Sequence, residues 1–173
     1  CVLFGDGAGA VAIEASKDSH SLIGYGLKSD GKRGGCLNLS QSDNFLDLID
    51  GAAHQKGEYL PIKMEGKEVY KFAVKEVPII LGELLNKYHI DSKSIDWLLL
   101  HQANQRILDA VAARFLIPSE KVLSNLKHYG NTSAATIPLM LDEAVRDQRI
   151  KSGDLIACSG FGAGLSWGAA LFY

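Results

Sequence analysis

Three short segments carry the groups best suited to chemistry. His101 stands where the apolar run Ile95-Asp96-Trp97-Leu98-Leu99-Leu100 gives way to a helical pattern starting at Gln105. In open α/β sheets ligands bind beyond the carboxyl ends of strands, so an imidazole at such a junction is well situated to meet one. The stretch His101-Gln102-Ala103-Asn104-Gln105-Arg106 is also more polar than helix capping requires. A lone histidine among five is nonetheless most simply a satisfied structural residue. Asn131 lies in Gly130-Asn131-Thr132-Ser133-Ala134-Ala135, a loop entering a helix, whose small residues leave room beside the amide. An asparagine in an ordinary turn is the plainer alternative. Gly160-Phe161-Gly162-Ala163-Gly164 follows a strand and could offer backbone N–H groups to a substrate oxygen. Singly, each signal is weak.

Other residues invite chemistry less. Gly5-Asp6-Gly7-Ala8-Gly9-Ala10 fits the G-x-G-x-x-A dinucleotide fingerprint, which needs a helix N-terminus next to hold the pyrophosphate. Val11-Ala12-Ile13-Glu14 favours a strand instead, leaving a turn in which glycine supplies positive φ and close backbone approach. Cys1, Cys36 and Cys158 are far apart and form no metal-ligand spacing. Their odd number suits a reducing compartment better than a disulfide framework. Cys158, within an apolar strand, reads as inert packing.

The elements that would position these groups follow from periodicity. Val2-Leu3-Phe4 and Ala10-Val11-Ala12-Ile13 read as strands around the glycine turn, and Leu22 to Leu27 as another strand. Residues 29–64 form a long polar excursion with one short helix at best. Val69, Phe72, Ala73, Val77, Ile80, Leu81, Leu84 and Leu85 recur at helical spacing from Glu68 to Tyr88, with Pro78 expected to kink or split the helix. Beyond the strand at 95–100 come a helix from Gln105 to Leu116 that Pro118 ends, and an extended piece at 122–126. A loop at 128–131 then leads to a helix from Ser133 to about Arg149, capped by Thr132 or Ser133. A hairpin closes the chain: Asp154 to Cys158, the glycine turn, and Leu165 to Tyr173. Strands alternating with helices and closed by a hairpin indicate an α/β fold with a mixed sheet.

The chain has 173 residues, 47% hydrophobic and 22% charged, enough for one domain with a real core. A net charge of -2 argues against bulk binding to nucleic acid or membrane. No apolar run is long enough for a transmembrane helix, and the start lacks a signal-peptide pattern. Cys1-Val2-Leu3-Phe4 reads as a strand already under way, so we expect a fragment or a processed piece.

Taken together, HQANQRI, HYGNTSAA and FGAGLSWGAAL closely resemble the C-terminal half of β-ketoacyl-acyl carrier protein synthase III enzymes. The likeness extends through MEGKEVYKFAV and AVRDQRIKSGD and back to FGDGAGA, and is weakest between Gly35 and Tyr59. It implies a thiolase-like fold in which two βαβαβαββ halves stack as α-β-α-β-α layers. Residues 1–18 would be the last strand of the N-terminal half and residues 19–173 the C-terminal half. It implies decarboxylative Claisen condensation of an acetyl or short acyl group from coenzyme A with malonyl-acyl carrier protein, initiating fatty acid synthesis. His101 and Asn131 would be two members of a Cys-His-Asn set whose nucleophile lies upstream, so this chain alone would be inactive. Two neutral N–H donors suit the enolate that decarboxylation builds, since neither repels the incoming carboxylate. The backbone N–H of Ala163, where the family usually has glycine, would serve the oxyanion of acyl transfer. Asn104 would contact the pantetheine arm; Gly66, Tyr70 (where phenylalanine is common), Ala73 and Ala103 would line its tunnel, and Phe161 would touch substrate. Lys71, Arg106 and Arg114 would dock the acidic carrier protein, with ordinary solvated charge as the plainer alternative. No resident cofactor or metal is implied, since coenzyme A enters as a thioester substrate. The whole enzyme would be a homodimer in cytoplasm or plastid stroma, needing neither nucleic acid nor membrane. The rivals are a chalcone-synthase-like or hydroxymethylglutaryl synthase-like condenser, against which Asn104-Gln105-Arg106 speaks, and a non-catalytic nucleotide-binding or assembly domain using the Gly5–Ala10 turn.

Overall fold

The computed structural model describes residues 4–15, 17, 22–50 and 52–173. It is a mixed α/β unit built on a five-stranded sheet. In chain order its elements begin with β1 (Leu22–Ser29), a 3-10 turn at Gly31–Cys36, β2 (Leu37–Asn38), β3 (Gln41–Ile49), β4 (Ala52–Tyr59) and β5 (Lys63–Met64). There follow α1 (Gly66–Lys87), β6 (Trp97–Leu100), α2 (Gln105–Arg114), β7 (Val122–Leu123) and α3 (Leu126–Tyr129). The chain ends with α4 (Thr136–Arg146), β8 (Ile156–Gly162) and β9 (Ser166–Phe172).

The sheet order is β1-β9-β8-β6-β7. β6 runs parallel to both β7 and β8, while β8–β9 and β9–β1 are antiparallel. Period-two alternation sends successive side chains to opposite faces. Leu98 and Leu100 enter the core beneath α1 and α2, with Ala157, Trp167, Ala169 and Leu171 from neighbouring strands. Leu99 points the other way and meets Met140 and Ala144 of α4, with Ile156 and Leu123. Each of these leucines is essentially fully buried, worth roughly 2 kcal/mol apiece in removed apolar area.

α1 is one continuous helix across Pro78 rather than two pieces. Proline deletes the hydrogen bond to the carbonyl four residues back. The buried face from Val69 to Leu85, in which Pro78 is itself buried, favours the helix on both sides of that gap. α2 ends at Arg114, ahead of Pro118, because Leu116 adopts φ 56° and Ile117 N–H closes back on the Ala112 carbonyl. The expected helix from Ser133 to Arg149 is instead a 3-10 turn, Ser133–Ala135, continued by α4 and stopped by Gln148 at φ 58°.

Two expectations fail outright. Residues 29–64 contain the antiparallel pairs β3–β4 and β2–β5, not merely a loop with a short helix. And the described part of the opening, residues 4–15, forms no strand; only Phe4 makes a bridge, to Asn131. A strand requires a ladder partner, and no described residue pairs with Ala10 to Ile13. Val2, Leu3 and Cys1 lie outside the described residues.

Candidate active site

The polar junction after β6 divides its labour. Gln102 is completely buried; its Nε2 donates to the Leu100 and Leu123 carbonyls, at 3.0 and 3.3 Å. Its Oε1 accepts from Ser124 Oγ at 2.9 Å and Asn125 N–H at 3.1 Å. Asn104 caps α2, its Oδ1 accepting from Arg106 N–H at 2.9 Å. These two residues fix the junction and leave the imidazole of His101 facing a cleft. The His101 N–H donates to the Ser159 carbonyl at 2.9 Å, tying the residue to β8. The ring meets Phe161 edge-on, with centroids 5.1 Å apart. Burial lowers its pKa from 6.5 to about 4, so the imidazole is neutral near neutral pH, with one N–H donor.

Asn131 reaches the same cleft from the loop before α4. Gly130, at φ 67°, turns the chain out of α3, and Ser133 follows at φ 53°. The Asn131 Oδ1 accepts from Ser133 N–H at 2.9 Å, which identifies that atom as the carbonyl oxygen. The side-chain cap expected of Thr132 or Ser133 is not made; the Asn131 oxygen bonds the first N–H of the turn instead. With Oδ1 occupied, the NH2 end is the donor this side chain can offer a ligand. Thr136 Oγ1 donates to the Ser133 carbonyl at 2.8 Å and holds the turn from the other side.

The third wall is the β8–β9 turn. Gly160, Phe161, Gly162 and Ala163 all line the cleft. Gly164 takes φ 135°, and the turn is clamped by reciprocal backbone bonds between Asp30 and Leu165, at 2.8 and 3.1 Å. The cleft encloses about 940 Å³. His101, Asn131, Phe161, Ala163 and Ala103 thus come together as the sequence suggests.

Other candidates do not join them. Ala73 is completely buried in the core and lines no part of this cleft, because α1 turns its Ala73 side toward the sheet. Gly66 is exposed at the start of α1, and Tyr70 lies half-buried under the Arg106 guanidinium, 5.4 Å from its ring centroid. Asn104 also stands outside the cleft lining, engaged as a cap. Lys71 is ion-paired with Glu68 at 2.7 Å; Arg106 and Arg114 are exposed on α2. The Lys71 hydrogen bond, foremost, holds the Glu68 carboxyl below its usual range. Sequence reasoning missed Phe4, Val69, Ile62 and Met64 on the cleft wall. Ile62 and Met64 fall in the excursion that periodicity could not order. Phe4 reads in sequence as the end of an opening strand, with nothing to place it at this cleft.

Neither described cysteine lines the cleft. Cys158 is half-buried, with its thiol pushed up to about 11 by desolvation, and Cys36 packs against the core. No helix follows Ala10 within 11–15, so the Gly5–Ala10 segment lacks what a dinucleotide site needs. None of Gly5, Gly7 and Gly9 has positive φ; the close-approach half of the turn reading holds and the other half does not. Among the described residues no group of three or more His, Cys, Asp or Glu could hold a metal, and no helix is long and apolar enough to cross a membrane.

Residues 85–173 match a family model described as 3-oxoacyl-[acyl-carrier-protein] synthase III C terminal, and residues 1–31 match the companion synthase III model. The chain is 86% identical, over its whole length, to a β-ketoacyl-[acyl-carrier-protein] synthase III of Prochlorococcus marinus strain NATL2A, covering 51% of that protein. It is 70% identical to the enzyme of the same name from strain MIT 9313, covering 99% of this chain and 51% of the relative. Among solved structures, a 3-oxoacyl-[acyl-carrier-protein] synthase III from Aquifex aeolicus superimposes with a TM-score of 0.83 at 37% identity, over all of this chain and 51% of that one. The chain spans about half the length of the curated relatives it matches.

Proposed function

The chain belongs to the 3-oxoacyl-[acyl-carrier-protein] synthase III family, and from that premise we propose that it is the half of a condensing enzyme that handles the enolate. The complete enzyme joins an acetyl or short acyl group from coenzyme A to malonyl-acyl carrier protein, initiating fatty acid synthesis. Residues 1–18 complete the N-terminal half and residues 19–173 form the C-terminal one. One observation carries the reading: a neutral imidazole and an asparagine NH2 share one cleft, beside a glycine-rich turn.

In this mechanism a cysteine thiolate from the N-terminal half first takes the acetyl group and releases coenzyme A. The malonyl thioester oxygen then sits between the His101 ring N–H and Asn131 Nδ2. As the carboxylate leaves as carbon dioxide, its bonding pair moves to the α-carbon and the charge spreads onto the thioester oxygen. Two neutral, preorganised donors lower the energy of that enolate without repelling the departing carboxylate. The carbanion carbon attacks the acetyl carbonyl, whose oxyanion is held by the Ala163 N–H together with the nucleophile's own. Collapse expels the cysteine thiolate and leaves acetoacetyl-carrier protein. Asn104 and Ala103 border the pantetheine path; Lys71, Arg106 and Arg114 meet the acidic carrier. The enzyme works as a cytoplasmic homodimer without a resident cofactor.

The test fuses this chain to the N-terminal half of the NATL2A relative, whose matching region is 86% identical. The chimera should make acetoacetyl-carrier protein from acetyl-coenzyme A and malonyl-carrier protein, and the chain alone should not. A folded chimera that makes none, or robust turnover by the chain alone, overturns the assignment.

A further inference from the structure

We propose that the Phe4–Gly5 segment is a positioning strap for Asn131, an inference that rests on the enolate-donor role assigned to that residue above. Gly5 N–H donates to the Asn131 main-chain carbonyl at 3.0 Å, and Phe4 pairs with Asn131 in a parallel bridge. No Cβ fits at Gly5: it would run into the Tyr129 carbonyl oxygen. The strap continues flush along the same loop and helix. A Cβ at Gly7 would stand 3.0 Å from Leu139 Cδ1 and 3.1 Å from Thr132, and one at Gly9 only 2.6 Å from Pro138 Cβ. Glycine is therefore required at Gly5 for room, not for backbone freedom.

The strap matters because of where Asn131 sits. It lies between two left-handed turns, Gly130 before it and Ser133 just beyond. Among the described residues two bonds hold the residue: its side-chain oxygen on Ser133 N–H, and its main-chain oxygen on Gly5 N–H. The first aims Nδ2; the second fixes the peptide plane from which the side chain springs. Removing the second lets the plane tilt and carries Nδ2 off the enolate oxygen. Displacement of a catalytic group by about an ångström can cost on the order of a hundredfold in rate. His101 hangs from β8 through the Ser159 carbonyl, a bond separate from the one between Gly5 and Asn131, so its donor stays in place.

The decisive experiment uses the complete chimeric enzyme. Gly5→Ala should slow malonyl decarboxylation about ten- to a hundredfold while acetyl transfer from coenzyme A to the nucleophile changes less than about twofold. Gly9→Ala, with a milder steric conflict at Pro138 and its contacts on Pro138 and Ala135 rather than Asn131, should leave the ratio of the two half-reactions unchanged. The side-chain NH2 resonance of Asn131 should shift in Gly5→Ala and not in Gly9→Ala. Equal losses in both half-reactions, an equal effect of Gly9→Ala, or an unshifted NH2 resonance would each overturn the strap. If Gly5→Ala does not fold, an ester oxygen replacing the Gly5 N–H removes the donor without adding an atom, and undiminished decarboxylation there refutes the proposal. A chimera inert in both half-reactions would sink the functional reading instead, while the Asn131 resonance would still decide for or against the strap.

Discussion

Asn131→Asp separates the bond by which this side chain holds its loop from the donor role proposed for its NH2. The carboxylate has nearly the shape of the amide, and its Oδ1 can still accept from Ser133 N–H at 2.9 Å, so the loop entering α4 should persist. What changes is the other end: an NH2 donor becomes an oxygen bearing charge. Asn131 is only 8% exposed, so water screens that charge poorly. Loss of one preorganised donor costs about 10²–10³ in rate, or roughly 3–4 kcal/mol of barrier. A carboxylate facing a developing enolate adds repulsion, so Asn131→Asp should be at least as slow as Asn131→Ala. Acetyl transfer involves no enolate and should largely survive in both variants and in His101→Ala. The assay follows radiolabelled carbon dioxide release from malonyl-carrier protein alongside acetylation of the enzyme, in the complete chimera. Equal loss of acetylation and decarboxylation in all three variants would return these residues to structural roles. Full decarboxylation in Asn131→Asp would show that the NH2 never meets the thioester oxygen.

Two further outcomes are expected. Burial lowers the folded pKa of His101 from 6.5 to about 4, so no stability is lost above 6.5, where both states are neutral. As pH falls through that window the unfolded state takes up the proton first, and stability should drop by about 2 kcal/mol by about pH 5. Histidine ring NMR should place this titration near 4, His101→Gln should lack the loss, and a value near 6.5 would refute the burial argument. Arg106→Glu should raise the KM for malonyl-carrier protein about tenfold, or ~1.4 kcal/mol, with less effect on malonyl-coenzyme A and a deficit that shrinks in salt. Equal losses with both substrates would mean that Arg106 serves the fold, through its stacking on Tyr70.

Long periodic elements were legible because their cause is local. The run Val69 to Leu85 specifies a helix by spacing alone, and it forms one despite Pro78. The β3–β4 hairpin was missed although Asp50-Gly51 sits between its strands, a pair that favours tight hairpin turns. Its flanks, Gln41–Ile49 and Ala52–Tyr59, lack the clean alternation of a half-buried strand, so the turn signal stood without support. The opening segment failed for another reason: a strand is a relation between two stretches of backbone, and composition reports on only one. The polar junction shows a third limit. His101, Gln102 and Asn104 look equally functional in sequence, and only burial and bonding separate the anchor and the cap from the imidazole that faces the cleft.

The site itself follows from topology. β7, β6 and β8 are adjacent and parallel, so their carboxyl ends emerge along one edge of the sheet. β6 delivers His101 directly, β7 delivers Asn131 through α3, and β8 runs on into Phe161 and the Ala163 turn. The three motifs are spaced through the sequence by roughly one βα unit each because each closes one parallel strand. No single motif could identify the site, since a histidine, an asparagine or a glycine pair after a strand is common. Their joint arrival at neighbouring parallel strand ends is not. The register of β6 on β8, with Leu100 opposite Ser159, then sets how far the imidazole projects, because the next residue hangs from the Ser159 carbonyl. The packing of Leu99 against Met140 and Ala144 joins β6 to α4, the helix whose approach loop carries Asn131. The spacing of the two donors is therefore a property of the sheet and of the helix packed on it.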